Sequence, residues 1–324
     1  MVNENPGGAA SQPQPDVVKQ ASYSQILEEH DVDKQQRDAR KKILIDLESS
    51  KLNPKAKRVA VIGHISHDQL EAADIPILGN VLRKIGDVDL LTLILHSPGG
   101  DGTVVEKFVG LCRTQCKRFN VAIPTEAKSA GTLIALGADQ IIMGPPSEIG
   151  PIDAQILITV SGVRKYVSAQ SFIDARDNLL KKHAEAVQGP VKQDTSAILA
   201  MLSSLDLPFI VECERQMEFG RDVGKKLLAN HMLRNLRKDA PAKAEGIAAQ
   251  LSSVELHKVH GRTIDGAAAK RLGLTVRLCR TNDPYWCKIW EWYTRAEIMM
   301  RRTRAFKLFE TTEEQLMACN SPPG

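Results

Sequence analysis

The sequence predicts an α/β protein with a mainly parallel sheet flanked by helices, and with helical extensions at the N- and C-termini. Three observations predict it. Between residues 58 and 144, four short apolar runs alternate with segments of helical periodicity at a strand–helix–strand spacing. The runs are continuously apolar, as in strands buried on both faces. The joins that follow them are rich in Gly, Pro and Ser, and in parallel sheets function gathers at those carboxyl ends.

Residues 1–16, MVNENPGGAASQPQPD, are too polar and too rich in Pro, Gly and Gln to bury much surface, and they read as disordered. From Tyr23 to Ser50, Ile26, Leu27, Ile43, Leu44 and Leu47 fall at helical spacing. They predict one or two helices that pack on the body or on a neighbouring subunit. Asn53-Pro54 marks the end of this arm.

RVAVIGHI (58–65) is the first predicted strand, and DIPILGNVLRKI (74–85) sets Ile75, Leu78, Val81, Leu82 and Ile85 on one helical face. LLTLILHS (90–97) is a second strand and TVVEKFVGLCRTQC (103–116) a second helix. FNVAIPTEA (119–127), GTLIALGA (131–138) and QIIMG (140–144) follow as strand, helix and strand. Beyond Ile158 the regularity weakens. Helices are expected over 172–187, 212–236 and 243–253, and TIDGAAAKRLGLTV (263–276) reads as a helix closed by Gly273 and followed by a strand. Trp286, Trp290 and Tyr293 form an aromatic helical face in the tail, which must bury in the core or at a subunit contact. The division is therefore 1–52 for the start and helical arm, 53–282 for the main domain, and 283–324 for an aromatic and basic helical extension.

At 324 residues and 43% hydrophobic composition the chain can bury a substantial core. Lys+Arg (43) nearly balance Asp+Glu (39), so nucleic acid is not an expected partner, although RRTRAFK (301–307) is locally positive. The six cysteines form no CxxC pair and none lies at zinc-ligand spacing from a histidine, so neither metal nor cofactor is expected. Cys112 and Cys116 are expected to share one helix face. Free thiols fit a reducing compartment. The start lacks the apolar core of a signal peptide, and no apolar run approaches the roughly 20 residues of a membrane span. A cytoplasmic protein without a transmembrane segment is the expectation.

The chemistry lies in three loops. HSPGG (96–100) puts adjacent glycines, Gly99 and Gly100, where a strand hands over to a helix. Bare backbone there can present N–H groups to a developing negative charge. AKSAGT (127–132) puts Ser129 on a tight strand-to-helix turn whose small neighbours, Ala130 and Gly131, allow the serine to project. N–H groups at that helix N-terminus favour negative charge. Capping the helix is the plainer role for Ser129. PPSEIGPIDAQ (145–155) is a third irregular loop, and it carries Asp153.

HSPGG, KSAGTLIALGADQIIMGPPSEIGPIDAQI and HGRTIDGAAAKRLGL together resemble the serine dehydrogenase proteinase family. That family lies within the Clp-fold serine peptidases, alongside signal peptide peptidase A and the Clp proteolytic subunit. The resemblance is dense over about 90–158, returns at 257–276 and is thin elsewhere. It implies a Clp/crotonase-like fold and a serine endopeptidase acting on peptides or proteins, with no cofactor. No GxGxxG follows a strand, so the dehydrogenase in the name finds no support.

By this resemblance Ser129 is the nucleophile, and Gly99, Gly100 and Ala130 supply the oxyanion-hole N–H groups. The Clp proteolytic subunit carries a histidine one strand and loop after the serine and an acid much later. Here that loop holds Asp153 and the late position holds His260, so the resemblance implies a triad Ser129–His260–Asp153 with two roles exchanged in chain order. A lysine base, as in signal peptide peptidase A, keeps Lys165, Lys181 and Lys182 open, and His257 competes with His260. Lys128 beside Ser129 departs from the apolar residue usual there. A crotonase-type acyl-thioester enzyme and a catalytically silent scaffold are the alternatives. The family also implies a homo-oligomer. The sequence does not show whether an unfoldase partner is needed.

Overall fold

The computed structural model describes residues 33–50, 56–189 and 194–319. The expected disorder over 1–16 and the Ile26/Leu27 stripe lie outside the described residues. A seven-stranded sheet forms the centre. Five of its strands are parallel: β1 (Val59–Ser66), β2 (Val88–His96), β3 (Cys116–Ile123), β5 (Gln140–Met143) and β10 (Val276–Leu278). A two-residue strand, β4 (Glu126–Ala127), pairs parallel with β6 (Glu148–Ile149), which in turn pairs antiparallel with β9 (Ile264–Asp265), in a separate small sheet.

Both faces of the main sheet are covered, which is why its strands read as continuous apolar runs. Ala60 and Ile62 of β1 face one cluster and Val61 and Ile65 face the other. On the first face pack α2 (Asp74–Ile85), α3 (Val105–Thr114) and α4 (Ala130–Leu136). The helix over 74–85 has the predicted ends, and Ile75, Leu78, Val81 and Leu82 are buried as the spacing requires.

The second face is covered by α1 (Asp33–Glu48) and by a C-terminal helix, Pro284–Thr303. Ile43, Leu44, Leu47, Trp286 and Tyr293 are all buried there within one copy of the chain. These residues therefore pack on the protein's own sheet, while Trp290 of the predicted aromatic face stays partly exposed against them. Trp292, absent from the predicted aromatic face, is fully enclosed. A Cβ added at Gly63 would fall inside its ring, so the bare backbone of β1 is what admits the indole.

Several segments differ from the sequence reading. The tail is helical only to Thr303. Two strands follow, β11 (Ala305–Glu310) and β12 (Gln315–Cys319), and β11 pairs antiparallel with β1 inside the main sheet. RRTRAFK is therefore partly a buried strand: Lys307 reaches Asp74 at 2.9 Å and Glu71 at 2.7 Å. Cys116 opens β3 and is not on the helix of Cys112. Residues 119–127 split into β3 and β4 at Pro124, which cannot donate to a ladder. A hairpin, β7 (Gln155–Val160) and β8 (Val163–Ser168), occupies the stretch where periodicity fades. It leads into α5 (Ala169–Gln188), α6 (Ser196–Ser203), α7 (Leu207–Leu227), α8 (Ala240–Ser252) and α9 (Val254–His257). Among the described residues no single helix is long and apolar enough to cross a membrane.

Candidate active site

Three chain crossings meet above the carboxyl ends of β2 and β3. After β2, Ser97 forms a parallel bridge to Ala127 of β4: its N–H donates to the Glu126 carbonyl and its carbonyl accepts from the Lys128 N–H, both at 3.0 Å. Two residues on, Ser129 has φ 48° and ψ −113°, a backbone region that L-residues rarely adopt. Its hydroxyl makes no capping bond to the helix it precedes. The plain cap expected of a serine here is therefore absent, and the strained turn is the geometry of a nucleophile elbow.

The glycine pair is fixed by close approach. Gly99 has φ +112°, and a Cβ there would lie 2.8 Å from the Ser129 Cβ. Gly100 has φ +140°, and a Cβ there would lie 2.2 Å from the Leu70 N. Their N–H groups differ. That of Gly99, expected to be an oxyanion donor, is turned inward and donates to the Ser97 hydroxyl at 3.1 Å. Those of Gly100 and Ala130 have no intramolecular acceptor among the described residues.

Asp153 reaches the site because α4 holds its loop. The buried Thr132 hydroxyl donates to the Ala127 carbonyl at 2.7 Å and accepts from the Gly150 N–H at 3.1 Å. The Ile152 N–H donates to the carbonyl of Leu251, near the end of α8, and His260 follows in the turn after the short helix α9. Asp153, only 3% exposed, accepts from His260 Nδ1–H at 2.8 Å on one oxygen and from the Ser168 hydroxyl at 3.3 Å on the other. With its proton on Nδ1, His260 keeps Nε2 free as an acceptor.

Gly99, Gly100, Ser129, Ala130, Asp153 and His260 all line one cavity of about 410 Å³. Leu133, Ile152 and Phe219 form an apolar wall, and the Gln69 amide bonded to the Tyr166 hydroxyl spans its edge. None of the described lysines lines it. Lys165, Lys181 and Lys182 are exposed, and Lys128 pairs with Glu148. His257 is buried with Nε2–H on the Gln250 carbonyl at 2.8 Å. His96 bonds Thr125 at 2.6 Å, and burial pushes its imidazole down to about 4. Among the described residues no cluster of His, Cys, Asp and Glu is placed to hold a metal ion. The hydroxyls of Ser97 and Thr132 carried no sequence signal beyond their place in two of the three loops, and that of Ser168, at the end of β8, carried none.

Residues 25–207, more than half of the chain, match the family described as ClpP-like SDH-type serine proteinase. Two uncharacterized proteins of Methanocaldococcus jannaschii are 41% and 38% identical to the chain over 66 residues. Those matches cover 20% of this chain and 23% of each relative, so the chain spans about a quarter of the length of these curated relatives. Two solved mutants of a 1510-N membrane-bound stomatin-specific protease are similar at 17% and 15% identity. They cover 50% and 73% of this chain and 75% and 96% of their own, each with a TM-score of 0.28. The chain belongs to the ClpP-like SDH-type serine proteinase family, and the central sheet flanked by helices is consistent with that fold.

Proposed function

We propose that this family member is a serine endopeptidase that cleaves peptide bonds through an acyl-enzyme on Ser129. The Ser129 Oγ attacks the scissile carbonyl as His260 Nε2 takes its proton. Asp153 holds the imidazole in the Nδ1–H form and stabilises the imidazolium. The N–H groups of Gly100 and Ala130 receive the oxyanion, and Gly99 contributes by lacking a side chain. The C–N bond then breaks as His260 returns the proton to the leaving amine, and water releases the acyl group by the same route. The substrate is a peptide or protein chain, and no cofactor takes part. One observation carries this reading: a buried carboxylate bonded to a half-buried imidazole, 107 residues apart in sequence, borders the same cavity as a serine on a strained turn.

Fluorophosphonate labelling tests it. The wild type should label and hydrolyse peptides, and Ser129→Ala should do neither while its Tm stays nearly unchanged. Full labelling of Ser129→Ala would refute the assignment. Acyl-CoA binding without labelling would favour the crotonase-type reading, and neither activity a silent scaffold. Wild-type rates in His260→Ala, with loss in a variant of Lys165, Lys181 or Lys182, would move the base role to a lysine. We also propose that the protein works as a cytoplasmic homo-oligomer, because an open peptidase site endangers unfolded chains around it. Light scattering checks this, and an active monomer at micromolar concentration would overturn it.

A further inference from the structure

We infer that Ser97 is a positioning residue for catalysis: its hydroxyl decides which glycine N–H faces the substrate. The inference rests on the reading of the site as a serine peptidase. Ser97 is fully buried at the end of β2. Its main chain clamps Glu126 and Lys128, the residues on either side of Ala127, and so fixes the approach to Ser129. Its side chain accepts the N–H of Gly99, two residues ahead, which is the local hydroxyl-to-backbone bond that folds a turn. One residue thereby joins the nucleophile segment to the glycine loop.

The consequence lies in the alternation of the backbone. Gly99 is buried, with its N–H spent on Ser97 and its carbonyl accepting from the Leu70 N–H at 2.8 Å. The next N–H, at Gly100, is half-buried, borders the cavity and has no acceptor among the described residues. Two adjacent glycines can rotate their shared peptide almost freely. Only fixed partners on each side keep the Gly100 N–H aimed, and preorganised donors are what stabilise a tetrahedral intermediate. Without the Ser97 hydroxyl the Gly99 N–H would be buried unpaired, and the loop would gain a reason to turn it elsewhere.

The test is Ser97→Ala, with rates expressed per fluorophosphonate-titrated site so that unfolded protein does not count. The kcat should fall about ten- to hundred-fold, less than the 10²–10³-fold typical of deleting a donor outright, while KM moves by less than about threefold. Affinity for a peptide boronate, which forms a tetrahedral adduct on Ser129, should fall by the same factor as kcat. Affinity for the matching product peptide should not change. Ser97→Thr keeps the hydroxyl and, per titrated site, should recover most of the lost rate. An undiminished kcat per titrated site in Ser97→Ala would overturn the inference. So would equal losses for boronate and product peptide. A wild type that neither labels nor hydrolyses would instead defeat the peptidase reading, before any Ser97 variant is made.

Discussion

Replacing Asp153 by Asn keeps the shape of the carboxylate and removes its charge. The imidazolium formed when His260 takes the serine proton would then lose its counter-charge. With Nδ1 and Oδ1 2.8 Å apart, the centres of charge lie about 4 Å apart, and at an effective dielectric of about 20 their attraction is about 4 kcal/mol. That is about a 10³-fold loss in kcat/KM. The amide can also be placed in two ways. In the wild type the second oxygen accepts from the Ser168 hydroxyl at 3.3 Å. In Asp153→Asn the amide NH₂ can donate to Ser168, leaving its oxygen toward His260 Nδ1–H and the useful tautomer intact. Adding Ser168→Ala removes that preference and lets the NH₂ turn toward His260, which would force the proton onto Nε2. The double variant should lose about tenfold more, whereas Ser168→Ala alone should cost about threefold or less, because its bond is long. Peptide hydrolysis with titrated active sites reads all four corners of this cycle. Asp153→Asn within threefold of wild type would refute the reasoning. An equal cost of Ser168→Ala in both backgrounds would refute the tautomer argument.

Burial pushes the imidazoles of His64 and His96 down to about 4, so both are neutral when folded and take up protons more readily when unfolded. Their contribution is complete above pH 6.5, shrinks as pH falls toward about 4, and amounts to about 3 kcal/mol each at most. Urea unfolding between pH 6.5 and 5 should show stability falling with pH, and a flat profile there would contradict the burial argument. Trp292→Ala empties a fully enclosed site and deprives buried Glu310 of an indole N–H donor at 2.9 Å. Guanidinium unfolding should show a loss of about 3–5 kcal/mol. Wild-type stability would mean that the C-terminal helix does not close the second face of the sheet.

The parallel core was legible because its strands are apolar on both sides and because α2 repeats its buried residues without interruption. β11 was not legible, for an electrostatic reason. Lys307 belongs to the locally positive run RRTRAFK and Glu310 puts a second charge in the segment, yet Lys307 is neutralised by Asp74 and Glu71, and Glu310 by Arg40 at 3.0 Å. Those partners lie more than 200 residues away, and sequence periodicity has no means of pairing charges across that distance. The β7–β8 hairpin was hidden for the opposite reason. Val160, Val163 and Tyr166 stay exposed on it, so no buried face imposes an alternating pattern.

The site divides along the same line. Whatever depends on local backbone was visible: adjacent glycines mark a close approach, and a serine among small residues before a helix marks a turn where a nucleophile can project. Which N–H of the glycine pair is available was not visible, since Gly99 and Gly100 are chemically alike in the sequence. The difference arises only when Ser97 folds back on one of them and the Leu70 segment on both. His260 and Asp153 are intermediate. Each stands beside a recognisable motif, but their 2.8 Å contact depends on the Ile152–Leu251 backbone bond and on the Thr132 hydroxyl, which bring together the loop after β6 and the turn before β9. A hydroxyl that works by bonding the main chain leaves no mark in a sequence beyond being Ser or Thr. Residues of that kind hold this constellation together, so their substitution, more than that of the glycines, will show how much of its reactivity is preorganised.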